Sequence, residues 1–166
     1  MSLPLRVAFL WHQHQPYYRK DDEFVLPWVR LHGIKDYYDL PALHWEFPEL
    51  RVTYNIVPSL LMQLHEYKEG ITDSIQRLTE IPAEHLNEQE KRDIVTQFFM
   101  CNHETMLHPL ARYQELYQRA ITENSLQTFQ TQDWLDLQVL YNLTWIGALS
   151  RMEPIIQYLF RKERNY

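Results

Sequence analysis

The sequence predicts an α/β protein, in which two strand–helix units open a parallel sheet or barrel and a mostly α-helical segment follows. Three observations carry that expectation. Val7-Ala-Phe-Leu-Trp11 is a short apolar run bounded by Arg6 and His12, the pattern of a strand buried on both faces. Leu50, Val52, Tyr54 and Ile56 alternate with Arg51, Thr53 and Asn55, which is the period of a second strand. Beyond Gly70 the two-residue period disappears and apolar residues recur at helical spacing. The chain therefore divides into residues 1–70, the first β/α units of an incomplete barrel or sheet, and residues 71–166, a helical segment of the same domain.

The first strand breaks into His12-Gln13-His14-Gln15-Pro16-Tyr17-Tyr18. In α/β architectures, residues just past the carboxyl end of a strand line the ligand crevice. Two imidazoles, two amides and two tyrosine rings at that place suit a hydroxyl-rich, ring-shaped ligand. Two other readings stay open. One is a polar loop with incidental histidines. The other is a metal site, because His12 and His14 point the same way if the strand period continues. Zinc usually takes a third protein ligand, and the single cysteine and scattered acids offer none at diagnostic spacing.

Arg19-Lys-Asp-Asp-Glu23 reads as a solvated flap, and residues 24–33, with Trp28, Arg30 and His32, as a piece folded back over the mouth of the first strand. A helix is expected over residues 37–47, capped by Asp36 and ended by Pro48. Pro41 conflicts with it, because proline removes a donor and crowds the preceding turn, so the helix either starts late or kinks. The second strand, residues 50–56, runs into a helix with Pro58 in its first turn, burying Leu60, Leu61 and Leu64 and stopping at Gly70. Asn55 either meets His12 and His14 at the carboxyl-end face or caps that helix.

No convincing strand follows. Ile94, Val95, Phe98 and Phe99 mark a helix within residues 87–101, and Leu110, Tyr113, Tyr117, Ala120 and Ile121 another after Pro109. Residues 132–149 are apolar nearly all round, so that helix needs cover on several faces. A last helix spans residues 153–164. Two strands cannot make a covered parallel sheet, so the sequence reads as the amino-terminal part of something longer, whose open strand edges invite self-association.

Composition narrows the function. A net charge of −6 without a basic cluster argues against nucleic acid as partner. Three glycines and no glycine-rich motif argue against a phosphate-cradling loop. An aromatic content of 14% beside acids and histidines suits carbohydrate. No leader pattern opens the chain, no run is long enough to span a bilayer, and Cys101 is alone. A soluble, cytoplasmic protein without a cofactor is expected.

His14-Gln15-Pro16 is followed in order by Leu26-Pro-Trp-Val-Arg-Leu-His32, Lys35-Asp-Tyr-Tyr-Asp39, Phe47-Pro48 and Val52-Thr-Tyr-Asn-Ile-Val-Pro-Ser-Leu60. Arg112-Tyr-Gln-Glu-Leu116 and Asp136-Leu-Gln-Val-Leu-Tyr-Asn-Leu-Thr-Trp145 complete the series. This series resembles the amino-terminal region of glycoside hydrolase family 57, the family of α-amylase, amylopullulanase and 4-α-glucanotransferase types. The resemblance implies the first two β/α units of a (β/α)7 barrel with a helical insertion, a retaining mechanism and an α-glucan substrate. It implies that His14 lines the glycone-side subsite, with His12 and Gln15 close by. Trp28 then offers a flat apolar face to a pyranose ring, unless it is simply buried, and Asn55 stands behind as a strand-end residue.

The family's nucleophilic glutamate and acid/base aspartate belong to later regions that nothing here matches. Retaining hydrolysis needs two carboxyls roughly 5 Å apart. Asp21, Asp22 and Glu23 lie in the charged loop, and Glu46 and Glu49 at the amino end of the second strand. Asn102-His103-Glu104 follows an amphipathic helix and matches no catalytic motif. The chain is expected to be a fragment, inactive alone, that carries part of the sugar-binding cleft. The alternatives are a non-catalytic carbohydrate-binding relic of the same fold and a metal-dependent enzyme using His12 and His14.

Overall fold

The structure, a computed structural model, describes residues 4–122 and 124–166. The first three residues, part of the stretch read above for a leader, lie outside that description, as does Glu123. In chain order the elements begin with β1 (Phe9–Gln13), β2 (Arg19–Lys20), β3 (Glu23–Phe24), α1 (Trp28–Gly33), α2 (Asp36–Trp45), β4 (Val52–Ile56) and α3 (Pro58–Lys68). They continue with β5 (Thr72–Asp73), α4 (Ser74–Glu80), α5 (Glu88–Gln97), α6 (Ala111–Thr122), α7 (Ser125–Thr128), α8 (Thr131–Thr144) and α9 (Pro154–Lys162). β1 and β4 pair in parallel, while β2, β3 and β5 form a second small sheet in that order. No helix among the described residues is long and apolar enough to cross a membrane.

The core sits in the helices. Leu31 of α1 joins Ile75, Leu78, Ile94, Phe98, Leu107, Tyr113, Leu116, Trp134, Leu137 and Tyr141 in one buried cluster. Nine residues of α8 are buried, so this helix finds on several sides the cover its sequence demands, all within the chain. Its polar members are buried with partners. Arg112 of α6 donates from Nε to Asp136 Oδ2 at 2.8 Å and from a terminal nitrogen to Asp133 Oδ1 at 2.5 Å. Arg119 reaches the same Asp133 at 3.0 and 3.1 Å, and Gln132 donates to Asp136 at 2.8 Å. Burial raises the Asp133 carboxyl, but the Arg119 guanidinium, the Gln130 backbone N–H and Arg112 outweigh it and hold its pKa below the ordinary value of 3.8.

The strands are a different matter. β1 starts at Phe9, two residues later than its apolar run, and it is not buried on both faces: Phe9 is 51%, Leu10 65% and Trp11 42% exposed. The physical reason is the width of the sheet. β1 has only β4 beside it, and α2, which has no fully buried residue, lies along one face. Leu61, expected in the core, is also exposed, because α3 turns inward only Leu60 and Gln63.

Other expectations give way to local chemistry. The charged loop is no free flap. It is a β2–β3 hairpin turning through Asp21, whose φ of 55° aspartate tolerates, and it is tied down by Arg19 to Glu66 at 2.8 Å. Residues 72 and 73 form β5 in parallel with β3, a strand too short for any alternation to announce it. Residues 28–33 are helical, with Val29 and Leu31 buried. Asp36 does not cap α2. It stands in the first turn with Lys35 at the N-cap, and its carboxylate meets His32 Nδ1 at 2.6 Å. Pro41 is accommodated inside α2 rather than delaying its start. α3 begins as expected with Pro58 in its first turn and ends before Gly70, whose φ of 98° only glycine adopts cheaply.

Two joints hold the strand-bearing part to the helical body. Asp73, wholly buried, accepts from Arg30 Nε at 2.6 Å, Tyr67 Oη at 3.0 Å and Gln76 N at 2.7 Å. Asp39 of α2 accepts from Ala148 N at 2.7 Å, in the turn after α8. Gly147 makes that approach possible, since a Cβ there would stand 2.7 Å from Asp39 Oδ1.

Asp136→Ala leaves Arg112 buried with fewer partners, at a cost of about 3 kcal/mol, the low end for breaking a buried pair because Asp133 and Glu115 remain. Urea denaturation should show the loss, and an unchanged midpoint would contradict it. Because the folded-state pKa of Asp133 is depressed, its contribution is complete above the unfolded value of 3.8 and disappears as pH falls through the lower folded value. The Asp133→Asn difference in stability should therefore shrink in that acid window. Gly147→Ala forces Asp39 aside and should cost about 1–3 kcal/mol by thermal denaturation, whereas Gly33→Ala, facing only the flexible Leu64 tip at 3.2 Å, should cost less.

Candidate functional site

The parallel register sets His12 opposite Asn55, with Trp11 opposite Tyr54 and Gln13 opposite Ile56. Side chains alternate along a strand, so neighbours in register share a face. Phe9, Trp11, Val52 and Tyr54 line a groove of about 200 Å³ with Leu40, Leu43 and His44 of α2 and Phe47 just beyond it. That is the helix-covered face. Leu10, His12, Thr53 and Asn55 consequently occupy the opposite, helix-free face.

There His12 Nδ1 and Asn55 Oδ1 are 2.7 Å apart. His14, one step past the strand, stacks on His12 with ring centroids 5.7 Å apart and planes 11° apart. Both histidines and Asn55 are exposed. The alternative reading of Asn55 as a helix cap falls away, because Val57 is the N-cap of α3 and its side chain makes no capping bond. Three of the five residues singled out in the sequence are thus gathered at the carboxyl ends of the parallel strands.

Gln15 is close to them but committed elsewhere. Its amide donates to Tyr37 Oη at 3.0 Å and accepts from Tyr18 Oη at 2.9 Å. Its carbonyl accepts from Ser59 Oγ at 2.8 Å. Burial raises the Tyr18 phenol, and neighbouring Tyr37 adds to the rise, so Tyr18 stays a protonated donor. Gln63 completes the clamp: it accepts from Tyr18 N at 2.8 Å and donates to Pro16 O at 2.8 Å. Gln15 is therefore a strut of the 14–18 loop. Tyr37, Ser59 and Gln63 were not singled out in the sequence. The available signal was Ser59 and Gln63 at i and i+4 on the first turns of α3, polar groups on a face shared with buried Leu60.

Trp28 packs against Trp145 with centroids 5.9 Å apart, on the edge of the helical core. A run of ring contacts joins it to the loop: His32 sits edge-on to Trp145 at 5.5 Å and tilted against Tyr37 at 5.9 Å. Tyr37 Oη in turn lies 3.4 Å from His14 O.

The carboxylates near the loop are engaged: Asp36 with His32, and Glu66 with Tyr17 and Arg19. Asn102-His103-Glu104 belongs to a π-turn, His103–Leu107. The Asn102 side chain accepts from Thr105 N at 3.1 Å and His103 Nε2 meets Phe99 O at 3.1 Å, so both are structural. Among the described residues, no group of three or more His, Cys, Asp or Glu is placed to hold a metal ion.

What the arrangement can do is bond neutral hydroxyl groups from imidazole and amide on a surface held by struts. Comparison with curated proteins gives no match, and neither does comparison with solved structures. The family model described as glycosyl hydrolase family 57 matches residues 8–166, from the residue before β1 through the histidine pair to the end of the helical body. With nearly its whole length matched, the chain belongs to glycoside hydrolase family 57.

Proposed function

We propose that this chain supplies part of the sugar-binding cleft of a retaining hydrolase or glucanotransferase acting on α-glucans, with the catalytic glutamate and aspartate contributed from outside residues 1–166. The observation that carries the proposal is the His12–His14–Asn55 cluster on the helix-free face of a parallel strand pair, at its carboxyl end. In a (β/α) barrel the helices lie outside and the opposite face of each strand turns inward, so this cluster belongs to the inner mouth. The apolar residues left exposed on both faces of β1 support further strands and helices around it. The same surface supports self-association when nothing else covers it.

In this reading His14 and His12 bond sugar hydroxyls, and Gln15, Tyr37, Tyr18 and Gln63 hold the loop so that the rings are in place before substrate arrives. Such preorganisation favours the distorted, oxocarbenium-like ring of the transition state over the relaxed ground state. Trp28 contributes at most one ring edge to the cleft, since Trp145 covers part of it.

Two outcomes test the proposal. The chain by itself should release no reducing sugar from maltooligosaccharides or pullulan, and release that disappears on mutating one of its own acids would overturn it. In a protein that joins this chain to the catalytic pair, His14→Ala should lower kcat/KM roughly threefold to tenfold, the worth of one neutral hydrogen bond. His65→Ala, on the exposed side of α3, should leave activity unchanged. Full activity of the His14 variant would sink the assignment.

A further inference from the structure

We infer that Asn55 sets the tautomer of His12, so that the two side chains present one hydrogen-bond acceptor and one donor, side by side, to a vicinal pair of hydroxyl groups. The inference rests on the sugar-cleft reading above and gives it a chemical target. His12 and Asn55 stand opposite each other on adjacent strands, about 4.8 Å apart along the ladder direction. Asn55 Oδ1 has no proton to give, so across the 2.7 Å contact the proton sits on His12 Nδ1. The other nitrogen of a neutral imidazole is then a bare acceptor.

The opposite tautomer would set two lone pairs against each other at 2.7 Å. Asn55 spends its oxygen on this contact and keeps its two amide N–H groups, which have no other partner among the described residues, on the same exposed face. The near-parallel stack of His12 on His14 holds the imidazole plane. One sugar O–H donates to His12 Nε2 while the neighbouring oxygen accepts from Asn55 Nδ2. Asn55 is thus both a ligand-binding and a positioning residue.

The test reads the tautomer directly, by two-bond proton–nitrogen correlation on the chain labelled with ¹⁵N in its histidine rings, at about pH 8 where imidazoles are neutral. The expected result is a protonated Nδ1 and a bare Nε2 on His12. Asn55→Leu should change the tautomer ratio toward Nε2–H by roughly threefold to tenfold, as loss of one hydrogen bond predicts. Asn55→Asp, which keeps an acceptor at the same place, should restore the wild-type ratio, and His14 should be unaffected. Because Asn55 is exposed, neither variant threatens the fold. An Nε2–H tautomer in the wild type, with the amide turned over, or a ratio indifferent to Asn55→Leu, would overturn the inference. Maltotriose at millimolar concentration should then shift the His12 Nε2 resonance. A bare Nε2 that maltotriose leaves unmoved would overturn the sugar-cleft reading instead.

Discussion

Four hydrogen bonds from three other elements converge on the buried carboxylate of Asp73: two from Arg30 of α1, one from Tyr67 of α3 and one from the Gln76 N–H of α4. A carboxylate wholly out of water is tolerable only with such compensation, and removing one charged partner from a buried pair typically costs about 3–5 kcal/mol. Asp73 also lies in β5, which pairs with β3. The hairpin, the helix after it, the helix behind β4 and the start of the helical body therefore share one anchor. Burial pushes the Tyr67 phenol up, and the neighbouring Asp73 charge pushes it further, so Tyr67 remains a donor across the ordinary pH range.

That anchor explains how an exposed strand pair is held still enough to carry a site. β1 and β4 contribute little to the core, which the helices build among themselves around α8. The strands are positioned from the rear instead: α3 reaches the 14–18 loop through Ser59 and Gln63, and α2 reaches it through Tyr37. α2 is itself pinned to the turn after α8 by Asp39 over Gly147. Each strut is a hydrogen bond between a rigid element and the loop, so the loop that carries His14 is held by polar contacts.

Much of this was legible in the residues, and what was not has a physical cause. Alternation from Val52 to Ile56, Pro58 at a helix start and Gly70 after its end depend on local conformational preferences, and the structure follows them. The meeting of His12, His14 and Asn55 followed from strand direction alone. Burial of β1 did not, because an apolar run records what a strand needs, while its exposure depends on what lies beside it. β5 and the Asp73 anchor were invisible for a related reason: two residues show no period, and Arg30 lies 43 positions from its partner. The segments Arg112-Tyr-Gln-Glu-Leu116 and Asp136 onward, part of the series that resembles the family, hold the α6–α8 clamp rather than the cleft.

A helical body with its own core thus holds a strand-borne site through a few polar struts. Native-state hydrogen exchange of the chain tests it most directly. Backbone amides of α6 and α8 should open only with global unfolding, while those paired between β1 and β4 should exchange on the order of tenfold or more faster through a smaller, local opening. Strand amides as slow as those of α8, opening in the same cooperative event, would contradict it.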